Sequence, residues 1–198
     1  MSVVKKISPM GLVSEPDKAG AESSEIILET SLQSFFFDQL TEVNKKSLHP
    51  LPQETIFYSS TVMDKYSESE NYFETVEGRI REKILGLKLL ESQSMNRQSQ
   101  KRILNDIGDT ALFMCGYFSE STNKKLVDTR YYMSLGKMAY ERLHYFKPDY
   151  LEIPSFYLNL SRAFCTITLL IGTVAQKLQG DGQEILFFVN GPVGLKVS

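Results

Sequence analysis

Apolar residues recur every three or four positions along most of the chain. Between residues 24 and 46 they stand at Ile27, Leu28, Leu32, Phe35, Phe36, Leu40 and Val43. This spacing puts them on one face and predicts a helix that begins after a cap at Ser24. Lys45 and Lys46 suit the negative carboxyl end of the helix dipole, and Pro50 and Pro52 stop the helix.

The same spacing predicts the other helices. They span residues 53–66, 71–93, 95–118, 124–145 and 156–178. Gly78 and Gly86 each weaken the segment 71–93 by about 1 kcal/mol relative to alanine, so this segment is either one helix or two. The pattern contains no strand pairs joined by hairpin turns, no βαβ rhythm and no solenoid repeat.

This pattern predicts an all-α fold, a single-domain bundle of about five to seven helices with a flexible N-terminal tail. Residues 1–23 mix Ser, Pro, Gly, Ala and charge without periodicity, and we expect them to be disordered. The bundle domain covers residues 24–180. Residues 181–198 form a C-terminal tail, and whether it docks on the bundle is left open.

Composition narrows the class of protein. Of the 198 residues, 42% are hydrophobic and 23% are charged, and the net charge is −2, which is typical of a globular chain. A general nucleic-acid binder needs a basic surface, so nucleic acid is not a predicted partner. The start shows no apolar core of a secretory signal, and the most apolar run, residues 163–175, is shorter than the ~20 residues that span a bilayer. We therefore expect a cytoplasmic protein without membrane contact.

Two aspartates in the stretch DIGDTALFMCGYF are the first candidates for chemistry. Asp106 and Asp109 are three positions apart and share a helix face, which suits acid–base work or metal binding. The simpler interpretation, which we favour, is an aspartate pair held by an arginine across a helix contact, with Arg102 or Arg130 as the partner. In that case Asp109 anchors an arginine or a tyrosine hydroxyl where two helices cross.

The cysteines and histidines offer weaker candidates. Cys115 and Cys165 lie in apolar helical patterns and are expected to be buried, reduced thiols. Glu141 and His144 have the Glu-x-x-His spacing of two-metal carboxylate bundles, but the chain has no second copy of this motif. No nucleophile elbow, phosphate loop or zinc spacing is present either. We expect no metal, no cofactor and no enzymatic activity.

Aromatic residues are abundant, with 12 Phe and 10 Tyr, and they alternate with small residues. Rings that fill hollows left by Gly108, Ala111 and Gly116 are one interpretation, with the helix at residues 131–143 packed closely there. The other is a pocket or groove whose tyrosine hydroxyls orient a ligand or a peptide. The candidate ligand-binding or partner-binding residues are Asp106, Asp109, Tyr117, Arg130, Tyr132 and Tyr140.

Two motifs carry a resemblance to a known pattern. GDTALFMCGYF at residues 108–118, followed by YYMSLGKMAYERL at 131–143, resembles a pattern in uncharacterised bacterial all-helical proteins. The likeness covers roughly residues 70–175. It implies a stable helical module in a bacterial cytoplasm and no particular activity.

These features lead to two functional hypotheses. The first is a non-enzymatic helical module for protein–protein interaction or regulation, because no catalytic set accompanies the tyrosine-rich helix pair. The alternative is a small-ligand sensor with a pocket between the helices at 95–118 and 124–146. The expected partner is another protein, and the aromatic surface leaves a homodimer open.

Overall fold

Six α-helices, one pair of antiparallel strands and a short 3-10 helix (Tyr150–Glu152) are found in the described part of the chain. The computed structural model describes residues 31–67, 73–76, 79–82, 84–118, 129–146 and 150–180. The elements are α1 (Leu32–Lys45), α2 (Gln53–Lys65), β1 (Phe73–Val76), β2 (Arg79–Glu82), α3 (Leu85–Ser92), α4 (Arg97–Tyr117), α5 (Thr129–His144) and α6 (Phe156–Gly180). The helices pack as a bundle, which confirms the predicted all-α class. The predicted tails, 1–23 and 181–198, lie outside the described residues.

Polar caps start two of the helices. Ser31 precedes α1 in an extended conformation, and its hydroxyl accepts a hydrogen bond from the Ser34 amide at 3.1 Å. Asn96 precedes α4 and accepts from the Ser99 amide at 2.9 Å. Such caps stabilise a helix by about 1 kcal/mol because they satisfy amides that have no partner within the helix. The predicted cap at Ser24 lies outside the described residues.

The helices α2, α4 and α6 confirm the predicted segments to within two residues at each end. Each is a long segment with apolar residues on one face, where periodicity is most informative. The predicted helix at 124–145 corresponds to α5, and its residues 124–128 are not described.

The segment 71–93 departs from the predicted helix. Phe73–Val76 and Arg79–Glu82 form an antiparallel pair in which Val76 faces Arg79, and a helix is found only from Leu85 onward. Two positions, one of them glycine, lie between the strands, and short glycine-containing connections favour hairpins. Thr75, Val76 and Ile80 add β-branched side chains, which favour strands over helices. The expectation of no strand pair is therefore wrong for this segment.

The helix α4 lies at the centre and packs against both α5 and α6. A Cβ placed on Gly108 would lie 2.6 Å from a Tyr140 ring carbon, and one on Gly136 would lie 2.9 Å from the Ala111 Cβ. The contacts run in opposite sequence order along the two helices, so α4 and α5 are antiparallel. Close approach of α5 at Gly108 and at Ala111 was predicted and is confirmed.

Gly116 contacts a different helix from the one predicted. A Cβ there would lie 2.7 Å from Ile171 on α6 and 3.3 Å from the backbone oxygen of Thr168. Near the other end of α4, Asn105 accepts a hydrogen bond from the Tyr157 hydroxyl, so α4 and α6 run parallel. Hydrophobic spacing placed Gly116 at a helix contact, but it carried no information on which helix would fill the space.

The helix α3 is apolar on two sides. Leu85 and Leu89 are buried, while Ile84, Leu87 and Leu90 are 54%, 51% and 65% exposed. A surface helix normally has one apolar face and one polar face. Ile84, which directly precedes α3, and Leu87 and Leu90 within it are spaced three apart and form a ridge along the outside of the bundle.

By length and composition alone, one described helix is long and apolar enough to cross a membrane. It is α6, which has a mean hydropathy of 1.4 over Phe156–Leu178. Half of its most apolar stretch is buried inside the protein. Its outward positions are mostly polar, namely Asn159, Arg162, Leu169, Thr173, Gln176 and Lys177. A core helix with one polar stripe has this pattern.

Candidate functional site

A buried carboxylate lies where α2, α4 and α5 meet. The Asp109 side chain is 5% exposed. Its Oδ1 accepts hydrogen bonds from the Tyr58 hydroxyl at 2.6 Å and from the Tyr140 hydroxyl at 2.9 Å. The close contact of Gly108 with the Tyr140 ring lets this tyrosine reach the carboxylate from the neighbouring helix.

The second oxygen of Asp109 is also occupied. Its Oδ2 accepts from the Asn105 amide at 2.8 Å and from the Lys65 ammonium at 3.4 Å. The Asn105 carbonyl accepts from the Tyr157 hydroxyl at 3.2 Å; it also lies 3.3 Å from the Tyr58 hydroxyl, whose single proton is donated to the closer Asp109 Oδ1. Four donors on two oxygens favour the ionised carboxylate, because a protonated one would turn an acceptor into a donor. We call Asp109 with Tyr58, Lys65, Asn105 and Tyr140 the Asp109 cluster.

Burial shifts the acidity of these groups. It raises the pKa of Asp109 above the usual value, while the Lys65 charge and the two tyrosine hydroxyls act in the opposite direction. Burial, together with the nearby charge of Asp109, raises the pKa of Tyr58 and of Tyr140 well above their usual values. Both tyrosines therefore keep their protons, and their hydroxyls serve as donors.

Asp106 lies beside the cluster on a more open surface, with a side chain that is 29% exposed. Its carboxylate is 3.4 Å from the Lys65 ammonium and 3.3 Å from the Lys88 ammonium, and it accepts from the Tyr66 hydroxyl at 3.2 Å. Among the described side chains, the cations that pair with Asp106 and Asp109 are lysines. No ion pair with Arg102 or Arg130, the predicted arginine partners, is found among these described side chains, whereas the predicted tyrosine hydroxyl is present.

The other predicted site residues lie elsewhere. Tyr140 belongs to the cluster, but Tyr117 stacks on Phe113 with 5.3 Å between the ring centroids, near the carboxyl end of α4. Tyr132 is buried and Arg130 is exposed at the beginning of α5, which is the same end of the bundle. The structure thus brings together Asp106, Asp109 and Tyr140, and it places the remaining three nearer the opposite end of the α4–α5 pair.

Sequence reasoning missed the contribution of α2. Tyr58, Lys65 and Tyr66 are seven and eight positions apart, so they share one face of that helix. Polar groups on an otherwise buried face were the available signal, and it would have marked α2 as a partner of the aspartates. Nothing local marks Lys88, which reaches Asp106 from α3.

Two surface depressions flank α4. One of about 300 Å³ is lined by Lys65, Gln98, Lys101, Arg102, Asn105 and Asp106. Three of these residues already bond within or beside the Asp109 cluster. The other, of about 480 Å³, is lined by Gln93, Gln100, Leu104, Arg142, Tyr145 and Phe146. This second depression, which we call the α4–α5 cleft, lies between the two helices for which a ligand pocket was predicted, but neither Asp109 nor Tyr132 lines it.

The thiols have ordinary surroundings, but in the Glu-x-x-His motif the Nδ1 atom of His144 is buried and has no hydrogen-bond partner among the described residues. Cys115 and Cys165 are both free, Cys115 is buried and Cys165 is half-buried. Burial raises the pKa of Cys115 to about 12, so its thiol stays protonated. The Glu141 carboxylate accepts a hydrogen bond from Ser161 at 3.2 Å. Within the described ranges, no three His, Cys, Asp or Glu side chains are grouped so that they would hold a metal ion.

Comparisons with known proteins do not test the resemblance to bacterial helical proteins, which stays a prediction. Searches against protein-family models, curated proteins and solved structures found no match. Evidence on function therefore comes from this chain's own surfaces and clusters.

Proposed function

We propose that the protein is a non-enzymatic helical module that binds another protein through the ridge on α3. The observation that carries this proposal is the exposure of Ile84, Leu87 and Leu90, each more than half accessible to solvent. Exposed leucines are common singly, but a row of aliphatic side chains on one short helix is typical of an interaction surface.

The shape of the ridge favours an amphipathic helix as the partner. Ile84, Leu87 and Leu90 follow one another at intervals of three, and Leu87 and Leu90 lie about 4.5 Å apart along the helix axis. A partner helix with apolar residues at intervals of three and four would pack its own grooves on this ridge.

The charge of Glu91 places a second requirement on the partner helix. Glu91 is exposed beside Leu90 and makes no side-chain hydrogen bond or ion pair with the residues that the structure describes. A lysine or arginine at the edge of the partner's apolar face would complement it.

The Asp109 cluster supports a structural role for the polar core. Both carboxylate oxygens are occupied by donors from the protein itself, and the group is almost completely buried. A general base needs a substrate proton within hydrogen-bond reach. This arrangement instead fixes α2, α4 and α5 against one another.

Affinity capture from an extract of the source cells tests the proposal. The bait is the full chain, compared with the double variant Leu87→Ser, Leu90→Ser and with the control Leu169→Ser, which removes an isolated exposed leucine on α6. We expect the same partner to be recovered with the wild type and the control and to be lost with the double variant. Recovery of an identical set of proteins by all three baits contradicts the proposal. So does recovery of the bait alone together with a monomeric mass by light scattering.

A second candidate function is a small-ligand sensor, and the α4–α5 cleft favours it. Its volume of about 480 Å³ is large enough for a small molecule, which would bind there in an open depression at the surface. A ligand that binds the folded state raises the melting temperature, so a thermal-shift screen of metabolites distinguishes this function from protein binding.

A further inference from the structure

The α4–α5 cleft is open to solvent, and its lining includes two aromatic side chains beside polar ones. Leu104 lies at the bottom and is almost completely buried. Phe146 and Tyr145, which follow α5, line the side, and Tyr145 is 77% exposed. A ring or a branched aliphatic group placed between them would leave water for an apolar surface.

The polar groups of the cleft are donors with few competing partners. The side chains of Arg142, Gln93 and Gln100 form no hydrogen bond or ion pair with the residues that the structure describes. The Arg97 guanidinium lies 5.4 Å from the centroid of the Phe146 ring and adds a second positive charge at the edge. The described lining residues include no carboxylate, so the cleft favours a negative ligand.

We propose that the α4–α5 cleft binds a small organic carboxylate with an aromatic or branched aliphatic body. The Arg142 guanidinium binds the carboxylate, since its planar pair of N–H donors matches the two oxygens. The amides of Gln93 and Gln100 donate to the same group, and the body packs against the rings of Tyr145 and Phe146. This inference deepens the small-ligand candidate and does not depend on protein binding through α3.

Three probes of one shape and different charge test the proposal. They are 3-phenylpropionate, its neutral amide 3-phenylpropionamide and the cation 3-phenylpropylamine, each titrated into the isotope-labelled full chain and followed by amide NMR shifts. We expect the anion to shift the resonances of residues 93–104 and 142–146. The neutral amide should bind at least roughly tenfold more weakly, because it loses the charge-assisted pair with arginine. The cation should not bind.

Variants assign the binding to the cleft. In Arg142→Gln, 3-phenylpropionate should bind no better than its amide. In Tyr145→Ala, 3-phenylpropionate and its amide should both bind more weakly, because the ring contact is lost for each. The control Arg162→Gln removes an exposed arginine on α6, away from the cleft, and should leave binding unchanged. Tyr145 is exposed, so its replacement tests the site even where the arginine variant is poorly folded.

Several results would overturn the proposal. Equal affinity for the anion and the amide would show that Arg142 does not select charge. Inorganic phosphate binding as tightly as 3-phenylpropionate would show a site for anions without an apolar body. Shifts confined to residues outside the cleft, or an unchanged affinity in Arg142→Gln, would also refute it. None of these outcomes bears on the capture experiment with the α3 variants, so the two proposals fail separately.

Discussion

Replacement of Asp109 by asparagine tests the central polar cluster most directly. The change keeps the size of the side chain and converts one of its two oxygens into an amide nitrogen, which cannot accept a hydrogen bond. Two donors converge on each oxygen, with Tyr58 and Tyr140 on one and Asn105 and Lys65 on the other. Whichever way the new amide is oriented, one pair of donors loses its acceptor.

The size of the effect follows from these contacts. A hydrogen bond to a charged group contributes about 1.5–3 kcal/mol, so two of them contribute about 3–6 kcal/mol. Removal of the buried charge offsets part of this loss of stability, because burial disfavours the ionised form of Asp109 and raises its pKa. We expect the free energy of unfolding to fall by about 2–4 kcal/mol. For a chain of 150–250 residues this lowers the melting temperature by about 4–16 °C.

Urea unfolding at pH 7, followed by circular dichroism, measures this free energy, and calorimetry gives the melting temperature. Asp106→Asn is the matched control, because that carboxylate is part-exposed and water can replace its lost interactions. The control should lose less than about 1 kcal/mol. If Asp109→Asn were as stable as the wild type, the carboxylate would not be the acceptor that holds these donors, and the account of the cluster would be wrong.

Three further predictions concern packing, thiol reactivity and pH. Gly136→Ala should lower the free energy of unfolding by about 1–3 kcal/mol in urea melts, because the new methyl group would lie 2.5 Å from the Phe164 ring; Gly172→Ala, whose methyl group would lie 3.3 Å from the Gly116 backbone oxygen, should lower it less. In Cys165→Ser, the remaining Cys115 thiol should react with Ellman's reagent at pH 8 only after denaturant is added, since its pKa is about 12; fast reaction of the native protein would contradict this. Lys177 and Lys46 lower the pKa of Glu42 from 4.5 to about 2, so its stabilising effect is present above pH 4.5 and is lost as the pH falls towards 2. The stability difference between the wild type and Glu42→Gln, measured from pH 7 to pH 2, should shrink over that window and not widen.

The long helices could be predicted because their evidence is local. In α4 and α6, inward apolar positions repeat over five to seven turns, and tertiary context has little left to decide. The segment 71–93 was harder to predict, because the spacing of Ile80 and Ile84 also fits a helix. The hairpin depended on where Gly78 falls in the chain and on β-branched neighbours, and a window set to helical spacing gives these little weight.

The candidate site was predictable only where its evidence was local. Asp109 was expected to anchor a tyrosine hydroxyl at a crossing of helices, and Tyr140 does donate to it. Tyr58 and Lys65, which are 51 and 44 positions away from Asp109, were not expected. Contacts over such distances depend on how whole helices are arranged, and single-chain periodicity does not contain that information.

The same sequence separations have a consequence for folding kinetics. Hydrogen bonds of the Asp109 cluster join residues 31, 44 and 51 positions apart, and Asn105 is joined to Tyr157 over 52 positions. Forming these contacts requires closure of long loops before their favourable energy is gained, which raises contact order and slows folding relative to a bundle of purely local contacts. The central carboxylate is satisfied only after α2 and α5 have both docked on α4. Its bonds therefore form late, and mutations there should mainly speed unfolding and leave the folding rate nearly unchanged.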